Sequence, residues 1–279
     1  MLCPICGSET NPHRVPRYRA CPSCSHAFLA ESPSADHLAQ VYGDDYFTAG
    51  GAGYADYLAE GALLRERGRR YGAVLTHELS RTGRVLDVGA AAGFVLAGLT
   101  EAGWPGVGIE PNASMARFAG DRLGLDVRCG ALETVDFRAQ ADCIVMIQVV
   151  AHLFDLRSAF DAAERATKSD GAWLVETWNG ASFTARLFGP NWHEWSPPSV
   201  RHVFTPQSLD RLAASYGMSR IASGRPKKTL IAGHAKSLLK EKALTSFPAR
   251  VLALAAGPIP DDVTLPYPAE DLFWALYRR

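Results

Sequence analysis

Long apolar runs are absent from this 279-residue chain. Its most apolar stretches, such as VLALAAGPIP at 251–260, are too short and too broken by proline to cross a bilayer, which takes about 20 apolar residues. A surplus of either charge is missing too, since 29 Lys and Arg stand against 29 Asp and Glu. Nothing in that balance calls for a polyanion or a membrane surface as partner. The opening MLCPICGS lacks the basic segment and apolar stretch of a secretory signal, so a reducing, cytoplasmic compartment is expected. There is no internal repeat and no low-complexity segment. A composition 47% hydrophobic and 21% charged belongs to a soluble globular chain of one or two domains with a full-sized core.

Cysteine is scarce but concentrated. Four of the six fall in the first 24 residues, as Cys3-Pro-Ile-Cys6 and Cys21-Pro-Ser-Cys24. Two C-x-x-C pairs place four thiolates tetrahedrally for Zn²⁺, each pair on a tight knuckle. The rival reading, two disulfides, is disfavoured by the expected compartment. A closed four-cysteine site is structural, which makes residues 1–34 a zinc ribbon stapled by its metal. His26 stands nearby without being needed as a ligand. Cys129 and Cys143 lie in strand-like apolar runs and read as core residues.

Residues 35–82 read as a helical lid or linker. Within Tyr54–Leu79 the apolar Tyr57, Leu58, Leu64, Tyr71 and Leu75 recur at helical spacing. Arg65, Arg67, Arg69 and Arg70 fill other positions and read as a solvated face rather than a phosphate-contacting patch. From Arg84 the pattern alternates. Strands are expected at 84–88, 106–110, 125–129, 142–147 and 172–178, with helices near 93–102, 112–122 and 156–168. Short apolar β-branched runs separated by helices predict an α/β fold, a Rossmann-like doubly wound parallel sheet covered on both faces. Its ligand belongs beyond the carboxyl ends of the strands. The core then spans 83–279. It includes an irregular aromatic loop at 179–204, a helix capped by Thr205 with Pro206 in its first turn and Gly217 closing it, and a helical insertion at about 225–265. DLFWALYRR reads as the last strand. Within the insertion, Leu230, Ile231, Leu238 and Leu239 give 227–246 an amphipathic helical pattern.

The segment VLDVGAAAGFVL, 85–96, looks like a nucleotide loop with a glycine missing. A dinucleotide fold shows G-x-G-x-x-G, whose second glycine lets the backbone approach a pyrophosphate. Here Ala91 holds that position and Asp87 stands two residues before Gly89. A buried carboxylate repels a phosphate and attracts a cation. S-adenosylmethionine has no phosphate and carries an ammonium and a sulfonium, so it fits this loop better than NAD. Glu110 ends the second strand, where an acid accepts hydrogen bonds from ribose hydroxyls.

With these motifs the chain resembles the class I S-adenosylmethionine-dependent methyltransferases, specifically the ubiquinone-methyltransferase-like group with an N-terminal zinc ribbon. The resemblance runs through the cysteine pairs, YGDDYF, VLDVGAAAG, GIEPN, IQVVAHLFDL, DGAWLVETWN and VFTPQSLDRLAASYGM. It implies that Gly89, Ala91 and Gly93 cradle the methionine end of the cofactor, supported by Asp87. It further implies that Glu110 holds the ribose, that Pro111 borders the adenine, that Ala131 and Leu132 flank the base, and that Gln148 lies near the methionine portion. Two positions depart from the group's pattern. Ala151 replaces a glutamate, against a carboxylate-assisted metal site, and Val200 stands where relatives tend to carry a histidine.

Methyl transfer from a sulfonium needs alignment and dry surroundings, and a base where the acceptor must lose a proton. His152, just past the fourth strand, is the first candidate. His193 and His202 follow in the aromatic loop, where Phe183, Phe188, Trp192 and Trp195 would wall the acceptor. Tyr42, Tyr46 and Tyr54 are candidate lid residues. The expected partner is a small-molecule methyl acceptor. An RNA methyltransferase using the ribbon to bind nucleic acid is the alternative, kept open by the basic HRVPRYRA, although neutral net charge and the lack of an N/D-P-P-Y motif count against it. A non-catalytic cofactor-binding protein is a third reading, which the intact loop and acid oppose.

Overall fold

The structure is a computed structural model that describes residues 1–31, 43, 57–134, 136–138, 140–233, 236, 240, 247–260, 263–267 and 270–279. The N-terminal stretch forms three short strands, β1 (Asn11–Pro12), β2 (Tyr18–Ala20) and β3 (Ala27–Leu29). After them comes the long helix α1 (Gly61–Leu79), which buries Leu64, Tyr71, Leu75 and Leu79 along one stripe.

The strand–helix alternation then appears as expected: β4 (Val85–Val88), α2 (Phe94–Glu101), β5 (Gly106–Glu110), α3 (Ala113–Leu123), β6 (Val127–Cys129), β7 (Ala141–Ile147), α4 (Leu156–Ala166) and β8 (Thr167–Trp178). Helices α3 and α4 start where a side chain satisfies their first amides. Asn112 accepts from the Met115 N–H to open α3, and Asp155 accepts from the Arg157 and Ser158 amides to open α4. A short helix α5 (Phe183–Phe188), the two-residue strand β9 (His202–Val203) and α6 (Pro206–Ala214) follow. Thr205 caps α6 in a reciprocal box with Ser208 and Pro206 sits in its first turn, as its sequence predicts.

The chain closes through β10 (Ser219–Gly224), β11 (Lys228–Ile231), α7 (Phe247–Ala256), β12 (Thr264–Tyr267) and β13 (Leu272–Arg278). The central sheet has seven strands in the order β10-β13-β8-β7-β4-β5-β6. Strands β6, β5, β4, β7 and β8 run parallel, while β13 inserts antiparallel between β8 and β10. The chain moves outward from β4 to β6 and then returns to β7, so the direction of winding reverses between β4 and β7. A ligand crevice belongs at that reversal. Helix α1 lies directly on α2: a Cβ on Gly98 would stand 2.0 Å from the Arg65 carbonyl oxygen, and one on Gly68 2.1 Å from that of Val95. Two backbones touch there, and nothing larger than glycine fits.

A second sheet, β1-β2-β3-β9, belongs to the N-terminal ribbon, but its last strand comes from the core. Ala27 pairs with Val203 and Phe28 with His202. The Arg157 guanidinium donates to the carbonyls of Pro4 (2.7 Å) and Ile5 within the first cysteine knuckle. The Tyr18 hydroxyl donates to the Val200 carbonyl at 2.5 Å, and Cys3, Ile5, Cys21 and Cys24 share one hydrophobic core with Ile144, Phe160 and Trp173.

Two expectations need correction, and others fall outside the described residues. Lys228–Ile231 is a strand paired with Thr264–Tyr267, not the start of a helix; cross-strand pairing outweighs a weak amphipathic pattern in a segment holding Thr229 and Ile231. Leu238 and Leu239 lie outside the described residues, as do Tyr42, Tyr46 and Tyr54. Cys129 is exposed, because β6 is the sheet's edge and one side of it faces solvent, whereas Cys143 is fully buried as expected. No helix among the described residues is long and apolar enough to cross a membrane.

Candidate active site

Past the carboxyl ends of β4, β5 and β7 opens a cavity with about 1100 Å³ of non-protein space, including its mouth. The loop after β4 forms its floor. Gly89 takes φ +69°, and a Cβ there would meet Val149 Cγ2 at 2.8 Å, so this turn requires glycine. Ala91 is also left-handed, at φ +46°, a conformation that costs a non-glycine residue about 1–3 kcal/mol unless its surroundings hold it. Glu110 supplies that hold. Its Oε2 accepts from the Ala91 N–H and its Oε1 from the Asn112 N–H, both at 2.8 Å. Gly93, at φ +81°, serves as N-cap of α2, where a Cβ would press on Leu125 and Ala119.

Two buried carboxyl groups sit together in this floor. Asp87 is 2% exposed and Glu110 3% exposed. Burial, reinforced by the Glu110 charge, pushes the Asp87 carboxyl up to about 8. Burial pushes Glu110 up to about 7 against the pull of its two amide donors. Asp87 Oδ2 has no hydrogen-bond partner among the described residues. An orphaned acceptor beside a second acid, with no cation bonded to it among the described residues, is a site for a cationic group or a strong donor. Pro111, Ala131, Leu132 and Gln148 also line the cavity. Every residue to which the resemblance gives a cofactor role, except the packing glycine Gly93, thus borders one space.

The sequence matches the family described as Methyltransferase domain over residues 61–222, more than half of the chain. The chain belongs to the methyltransferase-domain family. It is 29% identical over 143 residues to a ubiquinone biosynthesis O-methyltransferase of Bradyrhizobium diazoefficiens, a match covering 46% of this chain and 56% of that one. The chain therefore spans about half the length of the curated relatives it matches. Among solved structures it is similar to the Burkholderia thailandensis 1,6-didemethyltoxoflavin-N1-methyltransferase, at 14% identity with a TM-score of 0.54, covering 98% of this chain and 99% of that one. It is also similar to a SAM-dependent methyltransferase of Thermotoga maritima, at 18% identity with a TM-score of 0.51, covering 81% and 95%. The shared fold is that of the class I methyltransferases, with a Rossmann-like sheet.

Of the three candidate histidines of this methyltransferase domain, His152 alone borders the cavity. It lies in a single 3-10 turn, Val150–His152, after β7. Its Nδ1 meets the Ser199 carbonyl oxygen at 2.9 Å. That bond assigns the proton to Nδ1 and the lone pair to Nε2. Burial holds its imidazole below the ordinary histidine range, hence neutral near pH 7. His202 is elsewhere: β9 seals it under the ribbon, stacked on His26 with the rings 5.3 Å apart and His26 Nε2 3.2 Å from His202 Nδ1. Burial and the Arg201 charge push His202 down to about 3, so its ring stays neutral near pH 7. His193 lies edge-on to Trp178, ring centroids 4.5 Å apart, with Nε2 3.4 Å from Glu194 Oε1, and does not reach the cavity. The same loop buries Trp192, 2% exposed, in the ribbon-side core, while Phe183 stands 65% exposed.

Sequence reasoning missed one cluster of the methyltransferase domain. Arg67 lines the cavity and pairs with Glu176, which is fully buried at the end of β8. The Tyr71 hydroxyl donates to the other Glu176 oxygen. The rest of the arginine run is a solvated face as expected, with Arg65 and Arg69 on Glu101 and Arg70 on Glu66. A signal was available: Arg67 falls three residues after Leu64 and four before Tyr71, on the edge of the apolar stripe rather than opposite it.

In the N-terminal ribbon the four cysteine sulfurs converge, all within 4.8 Å of one another. Cys3 and Cys24 Sγ are 3.6 Å apart, Cys6 and Cys21 Sγ 3.5 Å. Four sulfurs bound tetrahedrally at about 2.3 Å from a metal stand about 3.8 Å apart. The donor set fits Zn²⁺, and none of the six cysteines is paired in a disulfide.

Proposed function

We propose that this chain is an S-adenosylmethionine-dependent methyltransferase that transfers a methyl group in line to a small-molecule metabolite. The observation that carries the reading is the pair of buried acids, Asp87 and Glu110, around a left-handed loop at the point where the sheet's winding reverses. Gly89 and Ala91 border the methionine end, Gly93 fixes the loop on α2, and Gln148 flanks the same end. Glu110 receives the ribose hydroxyls on lone pairs that its two amide donors leave available. Pro111, Ala131 and Leu132 enclose the adenine. The cofactor supplies a methyl group already activated on a sulfonium. Asp87 and Glu110 favour the cationic end electrostatically, and alignment of the acceptor against the cavity floor contributes up to about 7–11 kcal/mol.

His152 is assigned the role of base. Neutral, with its lone pair on Nε2, it takes the acceptor's proton as the new bond forms. Its replacement by Ala is expected to slow turnover by about 10²–10⁴-fold while the cofactor Kd changes less than threefold. Single-turnover kinetics beside calorimetry measure both, and an unaltered rate removes His152 from the mechanism.

The ribbon, residues 1–34, holds a structural Zn²⁺ on Cys3, Cys6, Cys21 and Cys24. Residues 35–82 form the lid segment, and 83–279 form the core with the acceptor loop at 179–204. A small-molecule acceptor is favoured over RNA because the first cysteine knuckle turns its Pro4 and Ile5 carbonyls onto Arg157 of the core, not outward. Incubating the protein with methyl-labelled cofactor and extracts separated into metabolites and RNA tests the assignment. Label is expected in the metabolite fraction; label confined to RNA overturns it.

A further inference from the structure

The neutral balance of the whole chain conceals a local excess. Residues 225–260 carry seven Lys and Arg against a single acid, Glu241, and five of the chain's six lysines fall between Lys227 and Lys242. The remainder is acidic, with 22 basic and 28 acidic residues. Arg225, Lys227, Lys240 and Arg250 are exposed. Within the same segment lies α7, FPARVLALAA, whose one charged residue is Arg250. A helix that is apolar all round is normally buried, in protein or in lipid. This one is not: Val251, Leu252 and Leu254 all face solvent, Leu254 at 81% exposure. Helix α5, which α7 packs beside, adds the exposed Phe183 and Leu187.

Two sets of contacts hold this arrangement. The Phe183 and Thr184 amides donate to the Glu270 carboxylate at 2.8 and 3.0 Å, which fixes the start of α5 with the Phe183 ring outside. Lys236 Nζ donates to the carbonyls of Gly257, at 3.2 Å, and Ile259, which ties the lysine-rich stretch to the chain leaving α7. Clustered lysines beside exposed apolar side chains, without matching acids, complement a surface that is anionic outside and apolar beneath. A second copy of this chain would bring like charges together, and an RNA would leave the apolar side chains in water. A helix of 10 residues is about 15 Å long, half the roughly 30 Å of a bilayer's hydrocarbon core, so it lies in the interface and does not span it. We propose that α7, with Phe183 and Leu187 of α5 and the lysines of 227–242, is a docking surface for an anionic lipid bilayer. Docking sets the loop 179–204, of which α5 is part, against the lipid. The assignment is independent of the cofactor reading.

The test is flotation of the full chain with vesicles of phosphatidylcholine alone or with about 30 mol% phosphatidylserine. The chain is expected to bind the anionic vesicles about tenfold or more tightly than the neutral ones, and salt raised from about 0.1 to 0.5 M is expected to release most of it. Leu252→Gln with Leu254→Gln is expected to weaken that binding about tenfold or more, with the unfolding midpoint held within about 2 °C because both side chains are already in water. Lys227→Gln with Lys240→Gln, which removes no apolar contact, is expected to weaken it about fivefold or more. Wild-type protein that ignores both kinds of vesicle overturns the proposal, as does undiminished binding by either variant. A lipid-free dimer that the leucine variant breaks, without vesicle binding, gives the face to a second copy instead. Salt-sensitive binding of RNA without vesicle binding gives it to nucleic acid.

Discussion

Replacing Cys24 by Ser is expected to lower the unfolding midpoint by roughly 10 °C or more and to abolish turnover, with cofactor affinity changed less than threefold. The asymmetry follows from where the ribbon is attached. Cys24 is fully buried in the same core as Ile144 and Trp173, so losing the proposed metal ligand is expected to open that core rather than free a tail. Zinc contributes about 10–16 kcal/mol of apparent binding energy in small zinc-finger peptides. Even 4 kcal/mol of that, at about 2–4 °C per kcal/mol for a chain of this size, produces such a drop. The effect then travels along named contacts. Strand β3 holds β9, Tyr18 holds the Val200 carbonyl, and the neighbouring Ser199 carbonyl holds His152 Nδ1. Walls drawn from β4, β5 and the α1 helix touch none of these contacts, which is why the cofactor should still bind. Thermal unfolding with metal analysis and calorimetry measures the three quantities. A variant that keeps both its midpoint and its rate would refute the structural role of the metal.

Cofactor binding is expected to tighten about tenfold from pH 6.5 to pH 8.5, with protons released on binding. In the empty protein the Asp87 carboxyl is pushed up to about 8 and Glu110 to about 7, both far above the ordinary carboxylate range. Near neutral pH the pair therefore holds a proton that a cationic ligand must expel. Each proton expelled contributes up to tenfold in affinity per pH unit while the groups are protonated. The sign for stability is opposite. A carboxyl raised in the folded state binds protons that the unfolded chain has released, so its contribution is complete below about pH 4 and fades as pH rises through 7 and 8. The empty protein should accordingly be more stable at pH 6 than at pH 8.5, and bound ligand should narrow that difference. Glu110→Gln removes one member of the pair, flattens both profiles and weakens binding by roughly 10–100-fold through the lost charge-assisted bonds. Calorimetry in two buffers of different ionisation enthalpy counts the protons, and a count of zero at pH 7 defeats the account.

The parallel sheet was legible because its strands are buried on both faces and so read as unbroken apolar runs. VLDV and DCIVMI had no other sensible interpretation. The cofactor floor was legible for a related reason: an acid such as Asp87 inside such a run is anomalous in itself. What escaped was whatever depends on contacts between distant segments. His202 sits in the loop where an acceptor-side histidine was expected, yet β9 turns it under the ribbon against His26, and a two-residue strand has no period from which its partner can be read. Arg67 was hidden by its company, since three of the four arginines in its run do face solvent. Lys228–Ile231 was misread because four residues satisfy helical and extended patterns alike, and only the opposing Thr264–Tyr267 decides between them.

The ribbon's sheet borrows its fourth strand from about 170 residues downstream. At roughly 5–20 residues per second, a ribosome needs about 10–35 s to deliver that strand once β3 has emerged. During that interval the cysteines are available to metal while β3 still presents an unpaired edge. The ribbon, made before the core, is thus among the last pieces to be finished, and it becomes whole only when the downstream half of the chain has closed around it.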